Sequence, residues 1–98
     1  MDEYDLYISE DGIVAFNTKS RWDWSEKIIM DPKGAIKYLY DLDNNLRIYF
    51  YNAKNDKCFD YLKNRFKKQI EKSGVNRVDE ETFYELFNQC YEFEKVSY

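Results

Sequence analysis

The spacing of apolar residues changes once along this 98-residue chain, and that change limits the folds open to it. In "EYDLYIS" Tyr4, Leu6 and Ile8 alternate with Asp5, Tyr7 and Ser9. In "IVAFNT" Val14 and Phe16 share a side, and Ile36, Tyr38, Tyr40 and Leu42 alternate strictly. A period of two is what a strand with one buried face requires. From Phe59 onward the spacing becomes helical, first Phe59, Leu62, Phe66 and Ile70, then Phe83, Leu86, Phe87, Cys90 and Phe93. One-sided strands followed by one-sided helices bury each other by forming two layers. The expectation is an α+β fold, one domain over residues 1–98. An N-terminal antiparallel β-meander of about five strands is followed by two C-terminal helices packed on one sheet face.

Turn chemistry sets the expected registers. Gly12, Gly34 and Asn45 each stand where a three-residue loop needs a left-handed residue. With 10–12 as a loop, Ser9 faces Ile13, and Ile8 and Leu6 fall opposite Val14 and Phe16. With 32–34 as a loop, Met30 faces Ile36, Ile28 faces Tyr38, and Trp24 comes opposite Leu42. With 43–45 as a loop, Leu42 faces Leu46, Tyr40 faces Ile48, and Tyr38 faces Phe50. Parity then puts Trp22 and Trp24 with Ile28 and Met30 on the core face, Trp22 at its rim, instead of in a ligand clamp. A competing reading lets Asp31 cap a helix over 32–43 with Pro32 first, giving the order βββαβαα. Gly34 in the first turn and the alternation after it favour a strand over 35–42 paired with 46–52.

The helices carry their own boundary signals. Asn55 or Asp56 caps the first, which runs to Lys72 and stops at Gly74. Asp79 caps the second, with Glu80 and Glu81 in its first turn and Val78 placed to staple onto Phe83.

Aromatic residues make up 19% of the chain against three glycines and one proline, so the core is built largely from rings. The net charge of −4 argues against indiscriminate nucleic-acid binding. The acidic, alternating start and the lack of any long apolar run point to a soluble, cytoplasmic chain without a membrane segment. Cys58 and Cys90 lack metal or redox spacing and read as buried free thiols. Histidine is absent, which rules out Ser-His and Cys-His nucleophilic pairs. The three glycines are isolated, and no carboxylate pair stands out, so catalysis, cofactors and metals are not expected.

Binding surfaces have more to offer. The registers above place Lys27, Ile29, Lys37, Leu39, Arg47, Tyr49 and Tyr51 together on the sheet face turned away from the helices, a patch both aromatic and basic. Arg47 can also pair with Asp41 across the strands. A second candidate is a basic stripe on the first helix, formed by Lys57, Tyr61, Arg65, Lys68 and Lys72. The first expectation is a small non-catalytic protein-binding module of inhibitor, immunity or adaptor type that covers a partner's surface. The second is a nucleic-acid-binding domain that stacks bases on Tyr49 and Tyr51 and holds phosphates with Lys27, Lys37 and Arg47. Abundant Asn, Lys, Tyr and Ile suit an AT-rich coding genome, such as that of a phage or low-GC bacterium.

Overall fold

The computed structural model describes residues 2–19, 24–41, 43 and 45–97. Strands β1 (Glu3–Ile8), β2 (Ile13–Asn17), β3 (Ser25–Met30), β4 (Gly34–Tyr40) and β5 (Leu46–Ala53) form the expected antiparallel meander. Residues 34–40 are strand, so the helical reading of 32–43 is overturned. Helix α1 (Cys58–Ser73) follows, then a short strand β6 (Arg77–Asp79), helix α2 (Glu80–Cys90) and strand β7 (Tyr91–Ser97). The seven strands lie in the order β6-β1-β2-β3-β4-β5-β7, so the two late strands add one to each edge of the meander.

Both edge strands depart from the sequence expectation. The second helix was expected to carry Phe93 in its buried stripe, but it ends at Cys90. Tyr91–Ser97 turns extended and pairs with β5, leaving Phe93 57% exposed. The alternating "YEFEKV" carries that signal, since Tyr91 faces the core while Glu92 and Glu94 do not. The Tyr91 hydroxyl donates to the Asp31 carbonyl at 2.6 Å and ties the new strand to the β3–β4 turn.

The helix boundaries follow their local chemistry. The Asp79 side chain accepts from the Thr82 amide at 3.0 Å, and Gly74 takes the left-handed conformation at φ 78°. The first helix differs slightly: Lys57 occupies the cap position, and Asn55 accepts its amide at 2.9 Å. Phe59, Leu62 and Phe66 of α1 and Phe83, Leu86, Phe87 and Cys90 of α2 are buried on one sheet face, against Tyr4, Leu6, Ile13, Ala15, Ile28, Met30 and Ala35. Phe83 is the hub, with its ring 4.3 Å from Tyr4, 5.6 Å from Phe66 and 5.8 Å from Phe87. Trp24 shares the parity of Ile28 and Met30 but is only half-buried, a partial correction of its core assignment. Trp22 and Leu42 lie outside the described residues.

The turns are longer than expected, and this decides the faces. In the first hairpin Ile8 pairs with Ile13 around a four-residue turn, which Ser9 closes by amide and hydroxyl bonds to Gly12. In the β3–β4 turn Met30 pairs with Ala35. The Asp31 carboxylate accepts from the Lys33 and Gly34 amides at 2.7 and 2.9 Å, and the Asp31 amide donates to Gly34. Such an Asx turn satisfies its backbone without a left-handed glycine. Each hairpin therefore slips one residue from the three-residue register, which turns the following strand over. In the β4–β5 turn Asp41 accepts from the Asp43 and Asn45 amides, and Tyr40 pairs with Leu46. That slip is two residues and keeps the relative faces of β4 and β5.

The observed register has a direct test at Gly34, where any Cβ would run into the Tyr51 carbonyl oxygen across the strands. Gly34→Ala should lower unfolding free energy by about 1–3 kcal/mol in denaturant melts, the usual cost of an overpacked site. In the three-residue register that position is a solvent-exposed left-handed loop, and the loss would come without loosening of the Tyr51 amide in hydrogen exchange.

Candidate functional site

The registers line up two rows of side chains on the sheet face opposite the helices. One row runs Tyr7, Val14, Ile29, Ile36, Phe50 and Lys95; the next runs Asp5, Phe16, Lys27, Tyr38, Ile48 and Ser97. Tyr40 and Leu46 pair beside them. None of the apolar members is buried: Tyr7 is 58% exposed, and Phe16, Tyr40 and Leu46 are also exposed, while the others are partly buried. The four middle strands thus present a continuous apolar surface. Tyr7 and Phe16 meet edge to face, and the Lys27 ammonium lies 5.2 Å from the Tyr38 ring centre. A pocket of about 340 Å³ opens here, lined among others by Phe16, Lys27, Tyr38, Tyr40 and Leu46.

Charges sit at the margins of this surface. On the β1–β6 edge Asp5 accepts from Arg77 at 2.7 Å, with Glu3 paired to Asp79 alongside. On the other edge Lys95 reaches over Phe50 at 5.5 Å. An apolar aromatic centre inside a charged rim is the anatomy of a protein interface. The alternation of β2, β4 and β5 was legible for Val14, Phe16, Ile36, Tyr38, Tyr40, Leu46, Ile48 and Phe50, but their outward assignment needed the turn lengths.

The residues expected on this face divide between the two sides. Lys27 and Ile29 do point away from the helices. Lys37, Leu39, Arg47, Tyr49 and Tyr51 are brought together as neighbours, but on the helix side, because β4 and β5 are turned over relative to β3. Tyr51 packs edge-on to Phe87 at 5.0 Å, and Lys37 lies over Tyr49 at 4.7 Å. Arg47 reaches Asp41 at 3.9 Å. The stripe on α1 is present as expected: Lys57, Tyr61, Arg65, Lys68 and Lys72 are all exposed, and Arg65 donates to the Tyr61 hydroxyl at 2.6 Å. No ring or cation beyond that pair converges on a common point there.

A polar cluster that the sequence reasoning missed lies between the sheet and α2. Glu26, 7% exposed, accepts from the Tyr4 hydroxyl at 2.5 Å, from Tyr84 at 2.9 Å and from the Asn17 amide at 3.2 Å, with the Lys37 ammonium at 3.9 Å. Glu26 follows the parity of Ile28 and Met30, so an acid on a core face was the available signal. Burial, reinforced by the Glu26 carboxylate, pushes the Tyr4 and Tyr84 phenols well above the usual tyrosine range. Burial likewise raises Tyr91. Fully donated to from several sides, Glu26 acts as a structural acceptor. Cys90 is buried and Cys58 half-buried, both free. Burial and the neighbouring Cys58 push the Cys90 thiol up to about 12.

Among the described residues no group of three or more His, Cys, Asp or Glu side chains could hold a metal ion, and no helix is long and apolar enough to cross a membrane. Compared with protein families, curated proteins and solved structures, the chain matches none of them.

Two outcomes follow from the polar cluster. Glu26→Ala strands two phenols, an amide and an ammonium, so it should cost about 3 kcal/mol in chemical denaturation, more than Glu26→Gln, which keeps an acceptor. The raised phenols also set an alkaline limit. Below the ordinary value of 10.0 both folded and unfolded tyrosines are neutral and stability is complete. As pH rises past it, the unfolded chain ionises first and stability falls. Absorbance titration at 295 nm should show a late group of tyrosines that ionise only with loss of the near-ultraviolet dichroism.

Proposed function

We propose that the chain is a non-catalytic protein-binding module that acts through the open face of its sheet. The observation that carries this reading is the largely apolar surface of β2–β5 on the face opposite the helices, with Lys27 within it and charges at its edges. Apolar patches beyond a few hundred Å² are rare on proteins that stay alone, because leaving them in water costs roughly 25 cal/mol per Å². The face has aromatic anchors in Tyr7, Phe16, Tyr38 and Tyr40, with Lys27 as a single cation among them. Activity by occlusion needs no nucleophile or cofactor, only a complementary surface. A nucleic-acid reading is less favoured: among the described residues the cations on this face are Lys27, Lys95 and the Asp5-paired Arg77, against Glu3, Asp5 and Asp79 at its edge.

Affinity capture with the tagged chain from its source cell should retain a protein partner. Ile48→Asp, at the centre of the face, should weaken that retention about a hundredfold with circular dichroism unchanged, since a central apolar anchor is worth about 2 kcal/mol or more. Arg47→Ala and Tyr49→Ala, on the helix side, should leave it intact. The reverse pattern would transfer function to the helix-side cluster. Binding of single-stranded oligonucleotides that weakens steeply with salt would overturn the protein-interface reading.

A further inference from the structure

We infer that the occupant of the open face is a second copy of this chain, packed sheet to sheet with a twofold axis parallel to the strands between β3 and β4. The inference rests on the protein-binding reading above and names its partner.

Size is the first argument. Two rows of six positions and the Tyr40–Leu46 pair, each position taking ~4.8 by ~6.7 Å of the sheet, give a projected footprint of roughly 450 Å² before side-chain relief is added, near the ~500 Å² per partner at which specific interfaces begin. Two such sheets pack about 10 Å apart with their strands within ~30° of one another, as in a β-sandwich.

Self-complementarity is the second argument, and it selects the axis. A twofold along the strands keeps each row in place and exchanges its ends. In the first row Ile29 then meets Ile36 of the second copy, and Val14 meets Phe50. In the second row Phe16 meets Ile48, and Lys27 falls over Tyr38, the ring type it already covers within its own chain at 5.2 Å. At the margin Lys95 of one copy comes over Tyr7 and beside Asp5 of the other. Glu92, one row further on through its pairing with Asn52, falls past the end of β1. An axis across the strands, run between the two rows, instead lays each strand on its own mate, with Lys27 against Ile29, Asp5 against Tyr7 and Lys95 against Ser97. That packing gives none of these charges an opposite partner, whereas the strand-parallel axis sets Lys95 beside Asp5 and Lys27 over Tyr38. Complementarity therefore favours the strand-parallel axis.

Sedimentation equilibrium of the purified chain over roughly 1–100 µM tests the association directly. The expected result is a dimer whose dissociation constant rises at least about a hundredfold in Ile36→Glu and Ile48→Glu and stays unchanged in Lys68→Glu on α1. Should the face variants unfold, isotope-filtered NOE spectra of mixed labelled and unlabelled wild-type chain still decide the geometry. Cross-copy contacts of Ile29 with Ile36 and of Val14 with Phe50 support it, and cross-copy contacts of Val14 with Phe16 overturn the axis. A chain that remains monomeric at 100 µM, or a dimer indifferent to both face variants, overturns the second-copy inference. If the monomeric wild type still captures a foreign protein and Ile48→Asp does not, the protein-binding reading stands while the second-copy inference fails.

Discussion

Everything in this molecule depends on the two-residue period of its strands, because a side chain's face is decided by the length of the turn that precedes its strand. Two four-residue turns, at 9–12 and 31–34, put Ile13, Ala15, Ile28, Met30 and Ala35 under the helices and leave Val14, Phe16, Ile29, Ile36 and Tyr38 outside. Ser9 and Asp31 hold those turns with short local hydrogen bonds to residues two and three positions on. Lengthening or shortening either turn by one residue would exchange core for surface along the next strand. A few polar side chains at the hairpins thus hold the relative faces of some ten apolar residues.

The helix-side face mixes two kinds of stabilisation. Around Phe83 the rings of Tyr4, Phe66 and Phe87 stack in a dry core. Toward the other end of the same face the contacts turn polar, and Glu26 gathers Tyr4, Tyr84, Asn17 and Lys37. Tyr4 belongs to both, with its ring against Phe83 and its hydroxyl on Glu26. This is how a core so rich in tyrosine remains compatible with hydrogen-bond demand: each buried phenol finds an acceptor, the Glu26 carboxylate or, for Tyr91, the Asp31 carbonyl.

The opposite face has no such completion. Its alternation is as regular and as apolar as that of the buried face, which is unusual for a sheet side left to water, where polar residues normally alternate with the core set. Among the described residues there are two helices and one sheet, and both helices lie on one side. Sequence patterning with apolar residues on both faces of β2–β5, with charges at the edges, is what supports the proposed contact with a protein partner.

Much was legible from residues alone. The meander over residues 3–53, the choice of strand over helix at Ile36–Tyr40, the Asp79 cap, the left-handed Gly74 and the exposed stripe on α1 all follow from local signals, since a strand's period, a cap or a left-handed stop is a property of a few adjacent residues. The strands β6 and β7 were missed because a three-residue pairing and a strand entered directly from a helix exist only by virtue of the edges they join. The residues of the expected patch on β4 and β5 do share one face, in a register two residues from the expected one, but on the helix side, because Gly12 and Gly34 suit three-residue and four-residue turns alike. Local sequence thus determined which residues alternate, and only the packed structure decided which half of each alternation meets the helices, since burial of Ile13, Ile28 and Met30 against Phe66 and Phe83 is a long-range energy that no turn signal encodes.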